Sequence, residues 1–172
     1  MSTVAKEMKG KIDNPALFSD GMRLYFLWVD KCKLPLGEIL YGKFDPAEDN
    51  GPLTGKVLYP APKRSPKCPS AAFDRDRNLH CAWTSSFGGE SIVHYGAIDT
   101  AGNAFNNKKD LTSNAGHYQN PVITRTPSGL LHIFWFNKSV EKDERAKIFL
   151  KTSADNGRTW KNRGSQTTAV RN

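Results

Sequence analysis

An all-β fold of three four-stranded blades stacked about an axis is what the sequence predicts, on two observations. The first is a repeat. Pro15, Pro69 and Pro121 stand 54 and 52 residues apart, each follows Asn or Cys, and each precedes an apolar stretch. Thirteen or fourteen residues after each proline comes a tryptophan: Trp28, Trp83 and Trp135. A period in that range marks a chain assembled from equal supersecondary units. The second observation is the character of the apolar runs. They are four to eight residues long, rich in aromatic and β-branched side chains, and bounded by Gly, Asp, Asn and Pro, as strands are. Many are apolar throughout rather than alternating, so both faces of each small sheet are expected to be covered, as they are when sheets stack in a β-propeller. A β-sandwich of about a dozen strands is the alternative, but it gives no reason for three units of near-equal length.

The elements follow in order. After an N-terminal segment, 1–13, the first blade is expected over 14–67, with its tryptophan run at 23–28 and a third apolar run at 38–41. The second blade, 68–119, repeats this with runs at 78–83 and 91–95. The third, 120–172, carries 130–135 and 147–150. A turn-rich segment and a weaker fourth strand close each unit. Between first and second strands Asp74, Arg75 and Asp76 form a polar hairpin tip.

Composition narrows the function. Twenty-five Lys and Arg against 17 Asp and Glu leave a net charge of +8, compatible with nucleic acid, an anionic membrane surface or an acidic glycan. The densest basic cluster, Lys63, Arg64 and Lys67, lies among Pro60, Pro62 and Pro66 and reads as a solvated loop. Nucleic-acid binding would need basic residues and aromatics interleaved on one strand face, a pattern the sequence lacks. No apolar run approaches the roughly 20 residues of a membrane-crossing helix. Cys32, Cys68 and Cys81 cannot all pair within the chain and show no Cys-x-x-Cys spacing, so buried or idle thiols are expected rather than zinc or redox chemistry. The opening residues lack the apolar core of a signal peptide, so a cytoplasmic location is expected.

The candidate chemistry is sparse. Asp74 and Asp76 lack the Gly and terminal Glu of a calcium loop, and no metal site or cofactor is expected. No Gly-x-Ser-x-Gly elbow supports a Ser-His-Asp arrangement, and no catalytic residue is assigned. Of the four histidines, His80 and His132 each stand three residues before a strand tryptophan, and with His94 they read as satisfied blade residues. His117 differs, because it stands with Tyr118, Gln119 and Asn120 in the connection 115–121 leading into the third blade. The equivalent connections are 10–14 and 63–67. An imidazole, an aromatic ring and two amides suit a sugar, and these four are the candidate ligand-binding residues. Loops 30–37, 85–90 and 137–144 are expected to converge on the same end of the ring.

The most specific local pattern is residues 153–160, where Ser153, Asp155, Gly157, Thr159 and Trp160 match Ser-x-Asp-x-Gly-x-Thr-Trp. It resembles the Asp-box of sialidases and related BNR-repeat proteins. Degraded versions stand at 98–105, where Gly102 and Phe105 keep the spacing, and at 44–46 with 49–51. The resemblance covers about residues 14–165 and implies a sialidase-like propeller in which Asp-boxes are peripheral and structural. It also implies that a sialidase would carry three arginines on its substrate's carboxylate, the first in a Phe/Tyr-Arg-Ile-Pro motif. This chain lacks that motif, and Arg23, Arg75, Arg77 and Arg125 fall near the loops joining first and second strands, at the wrong end. The expected function is therefore a non-catalytic glycan- or ligand-binding propeller, with a sialidase-type glycoside hydrolase or an assembly scaffold as alternatives. Three blades do not close a ring. A homodimer completing six blades is the expected assembly.

Overall fold

The computed structural model describes residues 12–32, 34, 36–45, 47, 55–60, 63–99, 108–138 and 147–167. The 1–11 segment, most of the degraded turns at 44–51 and 98–105, residues 141–144 and the chain end near Ala169 lie outside them.

Twelve strands occur in chain order: β1 (Ile12–Ser19), β2 (Leu24–Asp30), β3 (Glu38–Phe44), β4 (Lys56–Pro60), β5 (Ser65–Phe73), β6 (Leu79–Phe87), β7 (Glu90–Ile98), β8 (Lys109–Asp110), β9 (Tyr118–Arg125), β10 (Leu131–Asn137), β11 (Lys147–Ser153) and β12 (Lys161–Thr167). No helix occurs among the described residues. The strands form three four-stranded antiparallel sheets, β1-β2-β3-β4, β5-β6-β7-β8 and β9-β10-β11-β12, each a meander. The tightest hairpin joins β6 to β7 through Gly88 and Gly89, with φ of 60° and 85°. Two consecutive positive φ values suit a type I′ turn, whose twist matches the strands it joins.

The sheets stack face to face. Leu27, Val29, Ile39 and Leu58 of the first sheet pack with Leu79, Cys81, Trp83 and Ile98 of the second. On its other face the second sheet presents Ala82, Val93 and Tyr95 to Ile123, Leu131, Ile133 and Trp135 of the third. Strand β6 is thus buried on both sides from Leu79 to Ser85, which is why its sequence shows no regular alternation of apolar and polar residues. The outward faces of the first and third sheets are more open, with Leu17 58%, Val57 42%, Val122 39% and Phe136 39% exposed.

The first strand of each sheet carries the same irregularity. Asn14, Cys68 and Asn120 adopt φ of 53°, 51° and 47°. Each precedes the repeat proline, and each sits where the pairing register shifts. A bulge accommodates a residue without an N–H to donate, so the proline interrupts the ladder without ending it. Pairing continues on the N-terminal side, where Gln119 faces Phe136 and Tyr118 faces Asn137. The first strands therefore begin at Ile12, Ser65 and Tyr118, ahead of the expected blade starts at 14, 68 and 120. This corrects three expectations: Tyr118, Gln119 and Asn120 belong to β9 rather than to a connection, Ser65, Pro66 and Lys67 to β5, and Ile12, Asp13 and Asn14 to β1. The Cys68 thiol lies 3.4 Å from Asn14 Oδ1 and 3.2 Å from Asn120 Oδ1, so the three bulges meet and β1, β5 and β9 line the axis.

The 153–160 turn closes β11 onto β12 and touches the neighbouring sheet. The Gly157 N–H donates to Ser153 Oγ at 2.8 Å, and the Thr159 N–H donates to Asp155 Oδ1 at 2.8 Å. The Thr159 and Ser153 hydroxyls also donate to the Asp155 carboxylate, at 2.6 and 2.7 Å. Hydrogen bonds led by that of Thr159 hold this carboxyl down to about 2. Trp160 meets Tyr95 of the second sheet edge-on, with ring centroids 5.0 Å apart. Its place in the fold is structural, at the joint between two sheets.

Candidate functional site

At the axial end marked by the β6–β7 turn lies a cavity of about 490 Å³. His117, Tyr118, Gln119 and Asn120 all line it, together with Lys31 from the 30–37 loop and Phe87, Gly88 and Gly89 from the 85–90 turn. Lys67, Cys68 and Ser91 complete much of the wall. From the 137–144 loop the backbone of Lys138 donates to the His117 carbonyl at 3.0 Å, while residues 139–144 lie outside the described chain.

Local contacts position the four residues. Ser91 and Gly116 exchange both backbone hydrogen bonds, at 2.6 and 2.9 Å, and the Ser91 hydroxyl donates toward the carbonyls of Gly116 and Tyr118. The Tyr118 ring stands edge-on to Trp135 and Phe149. A Cβ at Gly116 would come within 2.9 Å of that ring, so a larger residue would push Tyr118 out of place. Asn120 Oδ1 is taken by the Cys68 thiol, which burial keeps protonated by raising it above its ordinary range. The His117 imidazole and the Gln119 amide make no hydrogen bond among the described residues, and Gln119 and Asn120 are exposed. Phe87, 65% exposed, stands at the rim as an apolar platform. Lys31 reaches Asp13 at 2.6 Å, which leaves Lys67 as the exposed cation of the wall. The described lining thus offers unused amide and imidazole groups, an aromatic surface and cationic character. It supplies no carboxylate of the kind glycoside hydrolysis uses in pairs.

Arg23, Arg75, Arg77 and Arg125 occupy the opposite end. Arg23 Nε donates to Asp45 at 3.0 Å, Arg75 Nη2 donates to the Pro127 carbonyl at 2.8 Å, and Arg77 lies against Met22. These contacts tie together the turns between first and second strands, at the far end of β6 from Phe87. Arg125 ends β9 on that same side. Among the described residues no group of three His, Cys, Asp or Glu side chains is arranged to hold a metal ion.

The histidines within the sheets are bonded. His80 sits between Tyr95 Oη at 2.7 Å and Asp74 at 3.2 Å, and burial depresses its basicity, so its Nε2–H donates to the carboxylate and its Nδ1 accepts from the tyrosine. His132 Nδ1 is 3.0 Å from the Thr152 hydroxyl. Around His94 the structure corrects an expectation, because a Ser-His-Asp chain is present: Ser85 Oγ lies 2.5 Å from His94 Nε2, and His94 Nδ1 2.7 Å from Asp110 Oδ1. Burial holds His94 below the usual imidazole range, so the neutral ring donates from Nδ1 to Asp110 and accepts from Ser85. Ser85 is fully buried, however, whereas the Asp110 side chain is 56% exposed. That is the reverse of what an attacking serine needs, and the chain serves to fix the imidazole. No motif in the sequence announces it. Only the pairing of β6, β7 and β8 brings residues 85, 94 and 110 together.

No protein-family model matches the sequence, and no curated protein matches it. Among solved structures the chain is similar to an α-L-arabinanase of Penicillium chrysogenum complexed with arabinobiose, with a TM-score of 0.61 at 15% identity over 89% of this chain and 45% of that one. An endo-arabinase of Bacteroides thetaiotaomicron gives 0.62 at 15% identity, over 95% of this chain and 66% of that one. A Trypanosoma rangeli sialidase in complex with sialic acid gives 0.58 at 17% identity, over 93% and 30%. The fold is that of the sialidase-like and arabinanase-like β-propellers. The chain spans less than two thirds of the length of each of these proteins.

Proposed function

We propose that the chain is a non-catalytic carbohydrate-binding propeller module whose ligand sits in the axial cavity. The observation that carries this reading is the convergence of the His117 imidazole and the Gln119 amide, neither side chain hydrogen-bonded among the described residues, with Tyr118, Asn120 and the exposed Phe87 in the lining of one cavity. Amides and imidazole match the paired donors and acceptors of sugar hydroxyls, and an exposed aromatic ring receives the apolar face of a sugar. Glycan chemistry is also what the neighbours of this fold perform, as arabinanases and a sialidase, which supports the ligand class by analogy.

A glycan array at low salt, with arabino-oligosaccharides and sialosides among its arms, tests the reading. Selective binding is expected, and Gln119→Ala is expected to weaken it about tenfold, the worth of roughly one lost hydrogen bond. Binding unchanged in that variant, or no selectivity across the array, would remove the cavity from consideration. Turnover of a fluorogenic glycoside at enzyme-like rates would instead favour the hydrolase reading.

The assembly we propose is a closed six-bladed ring of two copies related by a two-fold along the axis. Its support is the exposed apolar surface on the outward faces of the first and third sheets, Leu17 and Val57 on one and Val122 and Phe136 on the other. Left in water, such faces and their strand edges invite association. Sedimentation equilibrium at micromolar concentration is expected to return twice the chain mass, and Phe136→Lys to shift the equilibrium toward monomer. A stable folded monomer of the unaltered chain would overturn the ring.

A further inference from the structure

A second cavity, of about 530 Å³, opens between the first and second sheets. Its walls come from β4, from residues 63 and 64, from β6 and β7, and from residues 108 and 110. It lies across the sheet from the axial cavity. Within β6, Ser85 lines this one and its neighbour Ser86 lines the other, as alternation along a strand requires, and Arg64, just ahead of β5, lies on the Ser85 side.

Its chemistry is different. Lys63, Arg64 and Lys108 bring three cations to its wall, and the one carboxylate in the lining, Asp110, already accepts the His94 Nδ1–H. Arg64 Nη1 is buried and finds no hydrogen-bond partner among the described residues. A buried guanidinium nitrogen without an acceptor is costly, and a ligand oxygen would relieve that cost. Lys108 Nζ lies 4.6 Å from the centroid of the Tyr59 ring, and both Arg64 and Lys108 act electrostatically on His94, so the cations converge on one place. Leu58, Tyr59 and Ile92 supply an apolar floor.

The geometry points to a binding site for an acidic sugar, its oxyanion seated between Arg64 and Lys108 and its ring against Tyr59. A guanidinium presents the planar pair of donors that carboxylate and sulfate both accept. The Ser85, His94 and Asp110 chain holds the back wall in one arrangement, because each of the three is hydrogen-bonded to the next. The basic cluster at 63–67 is thereby divided. Lys67 belongs to the axial wall, and Lys63 and Arg64 belong here.

The test is a titration of the full chain with sodium glucuronate, glucose 6-sulfate and glucose, at constant ionic strength in sodium chloride, followed through the His94 imidazole resonances. Saturable shifts are expected with either acidic sugar and not with glucose, and the relative affinities separate carboxylate from sulfate. Arg64→Gln is expected to weaken binding at least tenfold, with Arg64→Lys retaining part of it. Lys108→Gln, at a residue just outside β8, provides a second variant should Arg64→Gln fail to fold. Gln119→Ala is expected to leave this titration unchanged, which separates failure of this site from failure of the axial one. Linear, unsaturable shifts, equal response to glucose, or saturation undiminished in both Arg64→Gln and Lys108→Gln would overturn the proposal.

Discussion

Trp83→Ala is expected to lower folding stability by about 4 kcal/mol, within the range for deleting a fully buried tryptophan. Trp83 is 0% exposed and stands in the core between first and second sheets, with Tyr59 at 5.1 Å and His94 at 5.3 Å between ring centroids. Truncation removes dispersion contacts on several sides, and the neighbouring strands are held by their ladders and cannot close the void. The same change at Trp28 or Trp135 is expected to cost less. Those residues are 8% and 3% exposed and belong to sheets with a single partner sheet each among the described residues. Urea denaturation of the three variants, read as midpoint shifts at constant m-value, checks the ranking. Equal losses at all three positions would mean that the middle sheet is no more tightly held than the outer two.

Gly157→Ala is expected to cost about 3 kcal/mol, for two reasons that add. Its φ of 81° is strained for any residue with a Cβ, by roughly 1–2 kcal/mol. A methyl there would also overlap the Tyr95 hydroxyl and ring, and overpacking of this kind costs about 1–3 kcal/mol. Tyr95 cannot step aside easily, because its hydroxyl is bound to His80 and its ring to Trp160. Gly88→Ala is the control, since its φ of 60° is comparable but no atom lies within 4 Å of the added methyl. That variant is expected to lose only the conformational part, about 1 kcal/mol. A Gly157→Ala loss no greater than the Gly88→Ala loss would show that the joint between second and third sheets yields to the methyl.

These two sites also show where reading the sequence succeeds and where it stops. The repeat of proline and tryptophan is a one-dimensional signal, because each unit must supply its own four strands and its own apolar faces. That is why three four-stranded antiparallel sheets were legible from spacing alone. Residue types in the 153–160 turn are likewise local, since Ser153, Asp155 and Gly157 act on backbone within a few positions of themselves. The strand starts were misplaced for an equally local reason. A proline reads as the beginning of a strand, whereas the bulges at Asn14, Cys68 and Asn120 let the ladder run past it.

By itself the sequence determined the strand content, which depends on residues close together in the chain, and the repeat of three units, which shows as a regular spacing; it nominated His117, Tyr118, Gln119 and Asn120 as ligand-binding candidates. The tertiary structure decided what depends on register and on neighbouring sheets. It brought Ser85, His94 and Asp110 into one hydrogen-bonded chain, and it drew the three bulges to the axis. It also turned Arg64 from a loop cation into a buried donor. Such outcomes follow from contacts between residues tens of positions apart. A strand's neighbour across a sheet is chosen by the packing of whole faces, and no window of sequence contains that choice.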